Sequence, residues 1–364
     1  MKPAYPHRLF PRLHQWIHTH RTRTYAFGGL GLVVAAALIA GIVYYQQPVA
    51  TIDTTPIKVV KKAKPPAPVF YSPLTGVKVA DEAATKQAVT AIMIENSPDA
   101  RPQSGLKDAG IVYEAIAEGG ITRFLTLHQE DKPQLIGPVR SIRMYYVDWL
   151  APYNASVAHI GGSAAALQEV RNGNYRDIDQ FFNAAYYWRA SDRYAPHNVY
   201  TSFEKLDALN AKRGYTSSTF TGFTRTDGKA AATPTAKAID MNFSSALFNT
   251  HYDYDAATNS YLRSIGGTPS EDREKGRITP STVVALKVAM QTVLEDGYRQ
   301  SIQTTGTGTA YVFQNGTVTE CTWRKNDRTS PLELIDAAGK PVALNRGQTW
   351  VGAIPNGSGS VSWT

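Results

Sequence analysis

No charge interrupts the run from Tyr25 to Tyr45, YAFGGLGLVVAAALIAGIVYY. A run of that length can cross a bilayer as one helix, so it divides the chain before any other feature is read. Tyr25, Tyr44 and Tyr45 sit at its ends, where aromatic rings favour the lipid interface. Arg21 and Arg23 abut its N-terminal side, and the first lysine beyond it is Lys58. That asymmetry predicts a cytoplasmic N-terminus and a single-pass chain whose later residues lie outside the cell membrane. A cleaved signal peptide is the alternative; the long basic leader 1–24 favours an uncleaved anchor. No cysteine lies near the end of the run, which rules out lipid attachment there. Residues 46–70, rich in Pro and Lys, read as an extended solvated tether.

The formal charge of +8 invites a nucleic-acid reading. However, Lys2, Arg8, Arg12, Arg21, Arg23, Lys58, Lys61, Lys62 and Lys64 precede residue 71, against Asp53 alone, and this accounts for the whole excess. The rest of the chain is near neutral and gives no argument for binding nucleic acid. The single cysteine, Cys321, excludes an intramolecular disulfide and a multi-cysteine metal site, and it reads as a half-buried strand residue.

The remaining chain is predicted to be α+β: a mixed-sheet α/β domain over 71–222, a linker over 223–238, a smaller mostly-β domain over 239–355, and a mobile tail over 356–364. Val89 to Ile94 reads as a strand. Ile111 to Ala117 and Thr122 to His128 read as a hairpin around Gly119-Gly120, and Asn315-Gly316 marks a second hairpin. Thr201 and Glu204 have capping-box spacing ahead of a helix closed by Gly214.

The first domain is organised around Gly137 to Ser163. Ile142, Tyr145, Tyr146, Trp149 and Leu150 fall on one helix face. On that reading Arg140 and Arg143 occupy the first turn, where the macrodipole disfavours cations and an anion held between them would explain both. The strand Ala155 to Ile160 then delivers His159 and the turn Gly161-Gly162-Ser163. Ser163 reads as an N-cap rather than a nucleophile, because Ala165 stands where a nucleophile elbow needs glycine. The two glycines would let a ligand approach the backbone. His159 and His197 are the acid/base candidates, since histidine titrates near neutral pH. Arg101, Arg123, Arg193 and Asn198 complete the set. Glu95, Asn96 and Glu114 end or line strands, and their plainer role is to pair with Arg140 and Arg143. Two histidines without a third ligand at a recognisable spacing predict no metal, and nothing implies a cofactor.

The strings IENSPDARPQSGLKDAGIVYEAIAEGGITRFL, IGPVRSIR, HIGGS and RYAPHNVYTS occur in that order, and YDYDAATNSYLRSIGG, NGTVTECTWRK and LNRGQTWV follow. Together they resemble the YerB-like family of bacterial extracytoplasmic lipoproteins over about residues 70 to 355. The resemblance implies a cell-envelope location and two domains. It brings no established activity, and this chain departs from it in carrying an apolar run where many members have a lipid-modified cysteine. Three functions follow from the residues. The first is a binding or scaffold module for an anionic or glycan envelope ligand held by Arg140, Arg143, His159 and His197. The second is a protein-binding module using Tyr186, Tyr187 and Tyr194 near Trp188. The third is an envelope hydrolase or transferase with a histidine base and arginine anion stabilisers.

Overall fold

The computed structural model describes residues 21–48, 68–293 and 299–364, with side chains from Gly29 onward. It divides into two compact units, Met1–Pro66 and Ala67–Thr364. The leader before residue 21 and most of the tether, 49–67, lie outside the described residues.

In the first unit the apolar run is a helix, α1, Arg21–Tyr45. Its apolar side chains are exposed, Leu32 at 74% and Leu38 at 63%. Among the described residues no helix is long and apolar enough to cross a membrane.

After a short antiparallel ribbon of Phe70–Tyr71 with Lys78–Val79, the second unit runs into strand β1, Thr90–Glu95, followed by the hairpin of β2, Ile111–Glu118, and β3, Ile121–His128. Gly119 and Gly120 turn that hairpin at φ +57 and +78, the left-handed pair that a two-residue turn matched to strand twist requires. Helix α2, Met144–Leu150, strand β4, Ser156–Ala158, helix α3, Ala164–Val170, strand β5, Arg176–Asp177, and helix α4, Phe203–Arg213, complete the first half. The second half is built of strands: β6, Ala238–Asn242; β7, Thr250–Asp255; β8, Ser260–Ile265; β9, Thr268–Pro269; β10, Thr282–Val288; β11, Gly306–Gln314; β12, Thr317–Lys325; β13, Glu333–Ile335; β14, Thr349–Pro355; and β15, Ser360–Trp363.

Ten of these strands form one mixed sheet in the order β13-β12-β11-β10-β14-β2-β3-β1-β4-β5, so both halves of the chain share it. The seam is β14, parallel to β10 on one side and to β2 on the other. All six residues of β1 are buried. Ala91 and Met93 join a core with Tyr145, Tyr146 and Trp149 of α2, while Ile92 and Ile94 join one with Phe203, Leu206 and Leu209 of α4 and Ile239, Tyr252 and Tyr261 of a second sheet. That sheet has the order β9-β8-β7-β6-β15. Both faces are thus covered at the middle of the sheet, where β1, β10 and β14 are buried along nearly their whole length, whereas β12 toward the edge alternates.

Four local expectations are corrected. Arg140, Ile142 and Arg143 precede α2 rather than opening it. Arg140 N–H donates to Met93 O and Ile142 N–H to Gly161 O, so pairing with neighbouring segments outcompetes the helix there. Ser202, not Thr201, caps α4, accepting from Lys205 N–H, whereas Thr201 Oγ1 donates to Tyr186 O. Ser163 stands at the start of α3 in an extended conformation, but its side chain makes no capping bond. The 356–364 tail ends in β15, which pairs with β6 and packs Trp363 against Tyr311 and Phe313. Gly214 closes α4 at φ +75, and Asn315-Gly316 turns its hairpin at φ +60 and +75.

Candidate functional site

β1 ends at Glu95, and the chain turns through a short 3-10 segment, Pro98–Ala100, into Arg101. Gln103 Nε2 pins this turn by donating to Glu95 O and Asn96 Oδ1. Opposite it, the antiparallel pair Trp188–Arg189 and Val199–Tyr200 carries the loop 190–198. Asn198 closes that loop. Its amide donates to Ala190 O and Arg193 O, and its Oδ1 accepts from Arg189. A third piece, the turn before Gly276, is held by Asp272, whose Oδ1 accepts from Glu274 and Lys275 N–H. It carries Arg273, whose N–H donates to Gln103 O.

These three pieces wall a cleft of about 720 Å³ lined by Asp99, Arg101, Arg193, Tyr194, His197 and Arg273, among others. Its charges are unevenly matched. Arg273 pairs with Asp192. Arg193, by contrast, donates to Asp99 O at 2.9 Å and Pro102 O at 2.6 Å. Arg101 donates to Asn96 Oδ1, Asn96 O and Leu247 O and lies over the Phe248 ring. Neither guanidinium has a carboxylate partner among the described residues. Burial, and then the charge of Arg263, lower the Arg101 pKa to about 10, with Glu114 opposing. Arg101 is therefore still cationic at neutral pH, and an anion beside it would relieve both effects.

His197 joins this wall with its side chain 20% exposed. Its Nδ1 lies 2.9 Å from Glu95 Oε2 and 3.2 Å from Ser97 Oγ. A carboxylate only accepts, so Nδ1 carries the hydrogen and Ser97 meets the same nitrogen. Ser97 therefore has no route to hand its proton to this ring, as a Ser–His nucleophile would need. Nε2 makes no hydrogen bond among the described residues, which leaves it to the cleft. Arg140 approaches Glu95 Oε1 at 3.3 Å and backs the Glu95–His197 contact.

The other expected residues do not converge here. Arg143 and Arg123 both pair with Glu118 at 2.8 Å, with their own side chains only 8% and 3% exposed. Burial alone would raise the Glu118 pKa, but the two guanidiniums outweigh it and lower it. His159 is wholly buried, with Nδ1 2.8 Å from Gly161 O and Nε2 2.9 Å from Asp177 Oδ1, and Arg171 closes the network onto Asp177 and Asp179. The hollow expected from Arg140, Arg143, His159 and His197 together does not form: all four lie against carboxylates, and Arg143 on Glu118 and His159 on Asp177 are buried away from the cleft. Gly162 serves the fold, since a Cβ there would meet Ile142 O at 2.9 Å. Gly161 adopts φ +63 and donates its N–H to Asp179, so the glycine pair and Ser163 shape a turn against Ile142. Glu114 is fully buried on Arg263 and Trp350 Nε1. Tyr187 is core, while Tyr194 is 92% exposed at the cleft mouth. Among the described residues no group of three or more His, Cys, Asp or Glu could hold a metal ion.

Arg273, Asp192 and Asp99 were not legible as site residues. Arg273 sits in EDREKG, which reads as a solvated charged turn, and only the bridge between Asp272 and Gln103 brings it beside residues 99–102.

The fold and cleft define a class: a sheet-rich α+β unit with one cation-lined cleft built from loops of both halves. Residues 74–216 match the N-terminal domain, and residues 239–351 the C-terminal domain, of the family described as protein of unknown function (DUF3048), and the chain belongs to this family. It is 32% identical over 290 residues to YerB of Bacillus subtilis (strain 168), named as a candidate lipoprotein, covering 78% of this chain and 86% of that protein. The crystal structure of the YerB protein from Bacillus subtilis matches with a TM-score of 0.72 at 28% identity, over 80% of this chain and 99% of that one.

Proposed function

We propose that this protein is an extracytoplasmic module of the cell envelope that binds an anionic ligand in the cleft around Arg101, Arg193 and His197. One observation carries the reading: two guanidiniums line an open cleft hydrogen-bonded to carbonyls and an amide, with no carboxylate in ion-pair contact among the described residues. A phosphate or carboxylate entering there gains charge-assisted bonds from groups already held in place. The enzyme reading has less support, since Ser97 and Glu95 share one nitrogen of His197. Full-length protein in detergent is expected to bind short polyphosphate, and Arg193→Glu to weaken that binding at least tenfold by calorimetry. Equal affinity in wild type and variant would sink the reading.

Membrane attachment falls to α1 on this proposal. Its uncharged stretch from Tyr25 to Tyr45 and its exposed leucines support that role, and the relative is named as a candidate lipoprotein. The one cysteine here, Cys321, lies in β12 and cannot serve an N-terminal lipid anchor. Protease added to intact cells is expected to digest residues 67–364 and leave α1 in the membrane fraction. A fully protected chain would refute the orientation.

A further inference from the structure

The cleft has a neighbour of a different kind. A hollow of about 350 Å³ adjoins it, and Asp192 and Arg273 line both, so their ion pair stands between the two. The second hollow is polar around an aromatic patch, Trp188 and Tyr200. Trp188 and Tyr200 are directly opposed across the two-stranded ribbon, which sets their side chains on one face, and Leu135 adds an apolar edge. Trp188 is half-buried, and its indole N–H makes no hydrogen bond among the described residues. Tyr200 is 1% exposed, and its hydroxyl lies beside the Arg273 guanidinium, which holds the ring in the floor of the hollow. Around the rings stand Arg189, Asp192 and Glu274, planar groups that can each take two hydrogen bonds.

An aromatic floor with a ring of planar polar groups matches a sugar. The C–H face of a pyranose stacks on an indole, and its hydroxyls both donate and accept. We propose that this hollow is a sugar-ring subsite, and that the ligand is an acidic glycan whose ring rests on Trp188 while its phosphate or carboxylate reaches Arg193. The inference rests on the anion-binding reading of the first cleft. Arg273 and Asp192, shared by both hollows, then face the junction between ring and acid and can bond to either.

The test uses the full chain in detergent with a panel of hexose 1-phosphates, N-acetylhexosamine 1-phosphates and sugar-bearing glycerol-phosphate oligomers. Inorganic phosphate and the uncharged sugars are the controls. At least one acidic glycan is expected to bind tenfold or more tighter than inorganic phosphate and to change tryptophan fluorescence. Trp188→Ala is expected to bring that glycan down to the phosphate level and leave phosphate affinity unchanged. Trp188→Tyr is expected to retain most of the gain, and Arg193→Glu to weaken glycan and phosphate together. If phosphate binds but no acidic glycan exceeds it, or if Trp188→Ala leaves the gain intact, the sugar subsite is wrong and the anion reading stands. If uncharged sugars bind through Trp188 while phosphate does not, the acidic half of the proposal is overturned. Absence of any binding overturns both.

Discussion

Replacing Glu114 by alanine is expected to destabilise the 67–364 unit by about 3–5 kcal/mol, the range for removing one partner of a buried ion pair. Glu114 lies on β2 with no exposure, and Arg263 reaches it from β8 of the second sheet at 2.8 Å. Trp350 Nε1 donates to the same oxygen at 2.9 Å, and Thr122 donates to the other. Arg263 also lies 4.4 Å above the Trp350 ring. Burial opposes the Arg263 charge, and Glu114 and Tyr252 override it and raise its pKa. Without the carboxylate, a guanidinium, an indole N–H and a hydroxyl are stranded where water cannot reach them. Urea unfolding should show the loss as a lower midpoint with an unchanged slope. Glu114→Leu combined with Arg263→Met should recover most of it, because an apolar pair leaves no stranded charge. A single-variant cost below about 1 kcal/mol would mean that the network relaxes onto other partners.

The second large effect is on acid stability. His128 ends β3 fully buried, tilted against the Phe203 ring, with only the backbone of Asp131 and Asp108 beside its ring nitrogens. Burial pushes its pKa down to about 3, and the nearby backbone of Asp131 and Asp108 opposes this only in part. The folded value thus lies below the ordinary value of 6.5 that the unfolded chain keeps. Above that pH both states are neutral and His128 contributes nothing. Below it the unfolded state takes up a proton that the folded state refuses, so stability falls as pH drops from 6.5 towards 3, by about 1.4 kcal/mol per unit. Between pH 6.5 and 5 the loss should reach roughly 2 kcal/mol. His128→Leu should remove that slope. His251, whose pKa its contacts with Asp240 and Asp253 raise against burial, works in the opposite direction. Its contribution is lost as pH rises, and it cancels in the difference between wild type and variant. Parallel stability curves for the two proteins would disprove the account.

What could be read from the sequence was what local chemistry decides. Gly119-Gly120 and Asn315-Gly316 announce their hairpins because a left-handed φ is a property of the residue itself. The apolar spacing of Tyr145, Tyr146, Trp149 and Leu150 holds in α2. The reading failed where partners arrive from far along the chain. Ile142 fits the same helical spacing, but Gly161 takes its N–H into a bridge. Arg140 and Arg143 look alike in sequence, yet one backs Glu95 beside the cleft and the other is sealed on Glu118. His197 and Arg193 were legible as polar loop residues, but their neighbour Arg273 depends on how β8 and the turn after it pack, which no local pattern encodes.

The position of β14 also governs when this protein can be finished. Residues 349–355 wedge between β10 and β2 and are the link that joins the two halves of the sheet. A ribosome delivers that strand after every other strand of the sheet. Until it arrives, β2 carries a bare hydrogen-bonding edge, a template for pairing with another chain. A message truncated just before residue 349 would yield two half-sheets with nothing to join them.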